Sequence, residues 1–485
     1  MLFDFRPILV VNGYVLLILA AAMAVPLAVD WAVQGGEWRA FLLAIAAASF
    51  AGAILVFAAR GDGAAPPRLR NREAFLATAS AWTVAGAFAC LPFLLGSLRL
   101  HLVDSLFEAI SGLTTTGATV IVGLDRAPAS LLLWRALLNW LGGIGIILTA
   151  VAVLPVLRIG GMQQFRLDSS EPGESAIPRL SRQNRGLLIV YPLLTAILAI
   201  AFALTGMNGL ESLCHAMSAL STGGFSTSDQ SLGHFGDGAR WVAVIGMIAG
   251  AITFSLYVAP LRQALAALLA DSQVRRFLIV LLVFAALLTA WNWGSGRMDG
   301  SQAVQRSVFN TVSILTTTGF HWGDYDSWGG FAPVAFFFMA LIGGCTGSAA
   351  GGIKMFRFEV LFAAAAIHLK RLLHPHGMFT IEFNKRRISE PVVRSVVSFV
   401  MLYLISVALL ALALAVAGLD VTTSLSGAAA AIGNVGPGLG PLIGPGGGYH
   451  GLAAAAKWLL IGGMIAGRLE LATVIVLFTR TFWRS

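Results

Sequence analysis

Long apolar runs separated by short charged loops set the pattern of hydrophobic and polar positions in this chain. A helix needs about 20 apolar residues to cross the hydrocarbon core of a bilayer. Runs that meet this lie near 8–29, 39–59, 74–98, 131–157, 187–206, 240–268, 277–293, 331–368, 395–417 and 452–479, which predicts ten spans. The first run, ILVVNGYVLLILAAAMAVPLAV, is long for a signal peptide. Asp4 also sits where such a peptide is purely positive, and a second span follows closely, so the run reads as a retained helix.

Between these spans lies a second pattern. DSLFEAISGLTTTGATV (104–120), ESLCHAMSALSTGGFST (211–227), RSVFNTVSILTTTGFHW (306–322) and VTTSLSGAAAAIGNVGPGLG (421–440) each hold a helix-compatible stretch too short to cross a membrane, then small or hydroxyl residues, then glycine. Aligned on Gly117, Gly224, Gly319 and Gly436, they carry Ser111, Ser218, Ser313 and, in the weaker fourth copy, Ala430 six positions upstream. The unit is span, short re-entrant helix, glycine loop, span. Non-helical backbone at membrane depth is tolerated only where protein or a watery cavity satisfies it. Four such loops on a common axis can turn their carbonyl oxygens inward and replace the water shell of a cation. The preceding half-helices aim their negative ends at the same axis, which favours cations over anions.

Composition agrees with a membrane protein: the 485 residues are 57% hydrophobic and 11% charged, with mean hydropathy +0.82. The cations set an orientation. Arg60, Arg68, Arg70 and Arg72 follow span two; Arg158, Arg166, Arg179, Arg182 and Arg185 follow span four; Arg262, Arg275 and Arg276 follow span six; Lys370, Arg371, Lys385, Arg386, Arg387 and Arg394 follow span eight. The positive-inside rule makes these loops and both termini cytoplasmic. The opposite loops are acidic, with Asp104, Glu108 and Glu211 nearest the re-entrant helices, where they either draw cations to a vestibule or cap those helices. The net charge of +9 comes without a basic stripe interleaved with aromatics, so nucleic acid is not the expected partner. Cys90, Cys214 and Cys345 are too scattered for a disulfide framework or metal cluster, and His374-Pro375-His376 reads as a solvated turn. HExxH, a nucleophile elbow and paired intramembrane carboxylates are all missing from the sequence, which argues against an enzyme.

The motifs LTTTGA, LSTGGFS, LTTTGF and NVGPGLG, with WLGGIGIILTAVAVLP (140–155), GGCTGSAAGGIK (343–354) and GRLELATVIVLF (467–478), resemble the TrkH/TrkG/KtrB superfamily of potassium-translocating subunits, specifically its TrkH branch. The resemblance implies an all-α polytopic fold of four M1–P–M2 repeats around a pseudo-fourfold pore, at 71–160, 183–270, 274–371 and 390–485, preceded by two extra N-terminal transmembrane helices in 1–70. It implies K⁺ held by backbone carbonyls, with Gly117, Gly224, Gly319 and Gly436 as filter glycines. Thr115, Thr116, Thr222, Gly223, Thr317, Thr318, Asn434 and Val435 complete the wall. Serine at the first glycine accompanies sodium preference in plant relatives, so glycine at all four positions favours potassium. The family also implies a homodimer in the bacterial inner membrane and a cytosolic TrkA-type nucleotide-binding regulatory subunit. The chain has no soluble nucleotide-binding domain of its own, and the basic loop 368–391 is the expected docking surface for that partner, or for anionic lipid.

The stretch 343–354 is similar to a phosphate-binding loop only superficially, because Ile353 separates Gly352 from Lys354 and Met355 follows. Its small residues predict a break in span eight. By resemblance this is an intramembrane gating loop including Gly344, Thr346, Gly347, Ser348, Gly351 and Gly352, with Ala349 and Ala350 where relatives often carry Thr or Gly. Lys354 either faces the pore or anchors the helix. Arg468, in span ten, is an intramembrane charge and hence a functional candidate; by resemblance it faces the pore beneath the filter, and the alternative is an ion pair tying span ten to a neighbour. Glu470 is two residues away and points to another face, so the two need not pair. Arg135 and Asn139 are expected to fix local packing. Two transport readings follow: gated passive permeation of K⁺, or a carrier coupling K⁺ to H⁺ or Na⁺.

Overall fold

The computed structural model describes residues 4–59, 71–152, 176–258, 261–384 and 386–484. Arg60, Arg68, Arg70, Arg158, Arg166 and Lys385 lie outside them. The helices are α1 (Arg6–Val33), α2 (Trp38–Ala59), α3 (Asn71–Ala89), α4 (Leu91–Leu95), α5 (Leu102–Leu113), α6 (Ala129–Ala152), α7 (Ala176–Leu204), α8 (Gly209–Leu220), α9 (Asp237–Ala251) and α10 (Leu261–Ala270). There follow α11 (Ser272–Gly294), α12 (Gly300–Leu315), α13 (Phe331–Leu341), α14 (Met355–Leu373), α15 (Glu390–Val416), α16 (Val421–Gly433), α17 (Ala454–Arg468), α18 (Leu471–Leu477) and α19 (Arg480–Arg484). A two-residue hairpin, β1 (Glu382–Phe383) with β2 (Arg386–Arg387), is the strand pairing among the described residues. The protein is a polytopic all-α membrane protein.

Among the described residues, seven helical stretches are long and apolar enough to cross a membrane. Their outward faces carry Phe50, Ile189, Leu282 and Leu412, all exposed, as expected where the solvent is hydrocarbon. The three remaining predicted runs are not continuous helices. Run 240–268 divides after Ala251, run 331–368 divides between Leu341 and Met355, and α17 and α18 meet at 112°. The sequence pattern anticipates only the second of these breaks. In each repeat after the first, the second span is therefore bent where it passes the glycine loops.

The re-entrant helices are α5, α8, α12 and α16. Three have side-chain N-caps that accept from the first turn: Asn208 in a capping box with Glu211, Asp299 on Gln302, and Asp420 on Thr423. Buried faces of small residues let backbones approach closely. In α1 and α2 a side chain at Gly13 or Gly52 would strike the other helix's carbonyl, the small-residue contact that drives helix association in lipid. The same device seats α5, α8 and α16 against the following spans, at Gly142, Gly250 and Gly467.

Candidate functional site

The four glycine loops share one backbone conformation. The residue two before each glycine is left-handed, with φ of 51° at Thr115, 51° at Thr222, 59° at Thr317 and 53° at Asn434. The glycines follow at φ of 79°, 72°, 87° and 98°. Left-handed backbone is strained for threonine, so its recurrence at three equivalent threonines is a specified feature. Each turn is held by one repeated hydrogen bond. The N–H of Thr116, Gly223, Thr318 and Val435 donates to the carbonyl of Ser111, Ser218, Ser313 and Ala430, at 2.8, 2.9, 2.9 and 3.0 Å. The acceptor is backbone, which is why the fourth repeat keeps the geometry with alanine.

The loops close on each other in order. A Cβ at Gly117 would lie within 3.0 Å of the Gly223 oxygen, at Gly224 of the Thr318 oxygen, at Gly319 of the Val435 oxygen, and at Gly436 of the Thr116 oxygen. Repeat one thus touches two, two touches three, three touches four, and four returns to one. All twelve residues singled out in these loops take part in this ring or its supporting hydrogen bonds. Thr114 and Thr116 pair through their hydroxyls at 2.7 Å, as do Thr316 and Thr318. Asn434 donates to the Thr116 hydroxyl at 3.0 Å.

On the acidic face the ring opens into a cavity of about 250 Å³ that includes Gly117, Gly224, Gly319 and Gly436 in its wall. Its rim is tied together between repeats. Glu108, fully buried, receives Arg135 Nε at 2.7 Å and the Val120 N–H at 2.9 Å, and Arg135 reaches the Ser226 carbonyl at 2.7 Å. Asp229 accepts the Gly123 and Leu124 N–H groups. Asp104 pairs with Lys457 and Glu211 caps α8, so these two acids serve packing and capping. Arg135 joins two loops, as expected of a packing residue, and Asn139 Nδ2 contacts the Ser218 hydroxyl at 3.4 Å.

Asp326, half-buried in the acidic-face loop before α13, accepts the Gly440 N–H at 2.7 Å and so links repeats three and four. Loss of surrounding water, and secondarily the charge of Asp324, push its carboxyl up to about 6 despite that hydrogen bond. A carboxyl whose folded pKa exceeds its unfolded value of about 3.9 holds its proton more tightly when folded, so its contribution to stability falls as pH rises from about 4 to about 6. Asp326→Asn is expected to remove that slope. Thermal unfolding in detergent across this range checks it, and parallel curves for the two proteins would refute the assignment.

On the opposite side of the ring, residues 342–354 form an irregular loop stitched into neighbouring backbone. Cys345 N–H donates to the Ala251 carbonyl at 2.8 Å and Ala349 N–H to Gly250 at 3.1 Å, while Gly347 accepts from Phe254 at 3.1 Å. The Thr253 hydroxyl reaches Thr346 at 2.7 Å. These bonds occupy the carbonyls and N–H groups freed by the break after Ala251, which explains why that span bends. The β-branched pair Ile252–Thr253 and Pro260 were the available sequence signals. Gly344, Gly347 and Ser348 lie in the part of the loop facing α9, while Gly351 donates to the Thr317 hydroxyl at 2.7 Å and abuts the Gly433 carbonyl. Gly352 turns the chain back at φ 65°. Lys354 is buried and donates to Ala350.

Arg468 donates to the Ala349 carbonyl at 2.9 Å and approaches Gly142 at 3.5 Å. It therefore ties α17 to the loop through carbonyls. Glu470 pairs instead with Arg357 of α14 at 2.6 Å, so the two neighbours do face different partners. The space beneath the ring, walled by Ile146, Ala350, Lys354, Asn434 and Arg468 among others, is only about 20 Å³.

Comparison with known proteins gives a consistent answer over the whole chain. Residues 38–484 match the TrkH family, described as a cation transport protein. The chain is 41% identical over 481 residues to the Trk system potassium uptake protein TrkI of Halomonas elongata, covering 99% of this chain and 97% of that one. It is 35% identical over 487 residues to the TrkH potassium uptake protein of Salmonella typhimurium, covering 99% and 100%. The crystal structure of the potassium transporter TrkH from Vibrio parahaemolyticus superposes with a TM-score of 0.91 at 34% identity, over 99% of this chain and 100% of that one. With repeats, ring and full-length similarity in agreement, the chain belongs to the TrkH family of cation transport proteins, a family of transporters and not of enzymes.

Proposed function

We propose that this chain is the potassium-conducting membrane subunit of a Trk-type uptake system, and that K⁺ passes the ring of Gly117, Gly224, Gly319 and Gly436 passively under gated control. The observation that carries this reading is the cyclic contact of the four glycine loops, each glycine against a carbonyl of the next repeat. Such a ring offers backbone oxygens in place of water and keeps side chains out of the lumen. The carbonyls of the Thr115–Thr116–Gly117, Thr222–Gly223–Gly224, Thr317–Thr318–Gly319 and Asn434–Val435–Gly436 segments are the K⁺ ligands in this reading. With the basic loops cytoplasmic, the cavity of about 250 Å³ faces outside and K⁺ moves inward down the membrane potential, at about 2.3 kcal/mol per 100 mV.

The loop 342–354 is the gate in this reading. It lies against Thr317 and Gly433 on the cytosolic side of the ring, and Arg468 and Lys354 pin its carbonyls at Ala349 and Ala350. In this reading the narrow space beneath the ring, about 20 Å³, corresponds to a closed state. Opening, which occurs at a basal level in the chain alone, is then favoured by a cytosolic partner, a TrkA-type nucleotide-binding subunit docking on the basic loop 368–391, and the assembly is a homodimer in the bacterial inner membrane. The carrier alternative requires a titratable group on the conduction path at the ring, and the ring segments consist of Thr, Gly, Asn and Val.

Flux from the purified chain in liposomes under K⁺, Na⁺ and choline gradients tests this. K⁺ flux driven by its own gradient, with Na⁺ slower and choline excluded, is expected. Flux that appears only with an imposed proton or sodium gradient would replace the channel with the carrier.

A further inference from the structure

The intramembrane loop is held from its basic side at two points, and one short hairpin reaches both. The first point is Gln273 at the start of α11. It is 1% exposed, and its Oε1 accepts the backbone N–H of Thr346 at 3.0 Å. Its own N–H is capped by Asp271 Oδ1 at 2.9 Å. The other Asp271 oxygen accepts Asn384 Nδ2 at 3.1 Å, and Asn384 Oδ1 accepts the Ser272 N–H at 3.0 Å. Asn384 occupies the turn between β1 and β2, in left-handed backbone at φ 46°.

The second point is aromatic. Phe383 of β1, 3% exposed, meets Phe356 edge to face at 4.9 Å between ring centres. Phe356 opens α14 beside Met355, whose N–H donates to the Gly344 carbonyl at 3.0 Å. A hairpin of two residues per strand has no independent stability, so these contacts set its position. In turn, any displacement of the hairpin acts on Thr346 through Asn384, Asp271 and Gln273, and on Gly344 through Phe383 and Phe356.

We propose that Gln273 and Asn384 are positioning residues for the intramembrane loop, forming a hydrogen-bonded link through which the cytosolic hairpin Glu382–Arg387 holds the loop in its seated conformation. The proposal rests on the gating role given to that loop above. An irregular loop at membrane depth must find a partner for each N–H, and Gln273 supplies one for Thr346 from outside the loop. Without it, the seated state carries an unpaired buried donor, and the population moves toward conformations in which water can reach that group.

The test uses the full chain in liposomes with two readouts. One is K⁺ flux and its K⁺/Na⁺ ratio. The other is the rate at which Cys345, fully buried in the loop, reacts with a small membrane-permeant maleimide after Cys90 and Cys214 are replaced by alanine. Gln273→Leu removes the acceptor. Asn384→Gly keeps the left-handed turn, which glycine adopts freely, and removes only the side-chain link. Each variant is expected to raise both labelling and flux about two- to tenfold, the effect of one hydrogen bond, with the K⁺/Na⁺ ratio unchanged. The double variant should add nothing beyond the stronger single change, because both act on one path. Unchanged labelling in both, a response to Gln273→Leu alone, or simple additivity would overturn the link. A rise in labelling with constant flux would leave the link standing and remove the gating role from the loop. Asn384→Gly, at an exposed position, carries the test if Gln273→Leu does not fold.

Discussion

Gly117→Ser is expected to lower the K⁺/Na⁺ flux ratio in liposomes by about tenfold or more, a change of roughly 1.4 kcal/mol or above. Two physical terms act together. The added Cβ meets the Gly223 oxygen closer than 3.0 Å, and that oxygen is backbone in the next repeat, so it cannot swing aside as a flexible side chain would. The left-handed φ of 79° adds strain of about 1–2 kcal/mol for a residue with Cβ. The neighbouring carbonyl must therefore move, and a displaced carbonyl is a changed ion ligand. Gly123→Ala separates the two terms. Gly123 also has a left-handed φ, of 82°, but a Cβ there meets nothing within 4 Å. It should cost stability and leave the flux ratio intact. Equal ratios for parent and Gly117→Ser would remove the ring from ion selection.

Arg135→Met is expected to destabilise the protein by about 3–5 kcal/mol, because it strands the Glu108 carboxylate in a buried site. Among the described residues, that carboxylate then keeps the Thr119 hydroxyl and the Val120 N–H. The variant also loses the bond to the Ser226 carbonyl and the guanidinium packed 4.1 Å over Phe225, which join the first loop to the second. Combining it with Glu108→Gln should recover part of the loss, since an uncharged partner no longer needs a cation. Thermal unfolding in detergent of the parent, both single variants and the double variant measures this. Additive losses would mean that the two residues act independently.

The glycine loops were legible in the sequence because their code is local. A residue able to adopt left-handed backbone, a glycine two positions on, and a carbonyl six positions before that glycine recur within seven-residue windows. The weak fourth copy matched as well, since Ala430 offers the same carbonyl as Ser111. The break in span eight was legible from its small residues. The breaks after Ala251 and Arg468 were not, since hydropathy counts length and composition. What satisfies the freed backbone after Ala251 is the loop 342–354, about a hundred residues later.

Side-chain pairing divided in the same way. The two-residue spacing of Arg468 and Glu470 correctly separated their faces, yet nothing local named Ala349 and Arg357 as their partners. Glu108, Asp104 and Glu211 remained open between drawing cations and capping until Arg135, Lys457 and Asn208 were seen beside them. Gln273 gave no signal at all. By itself, then, the sequence determined a membrane protein with four glycine loops between spans, because bilayer thickness and turn geometry act over one or two dozen residues. Only the tertiary structure decided the order in which the loops touch, where the spans bend and which buried charges meet, because at membrane depth each of these depends on polar partners that the chain supplies from far away.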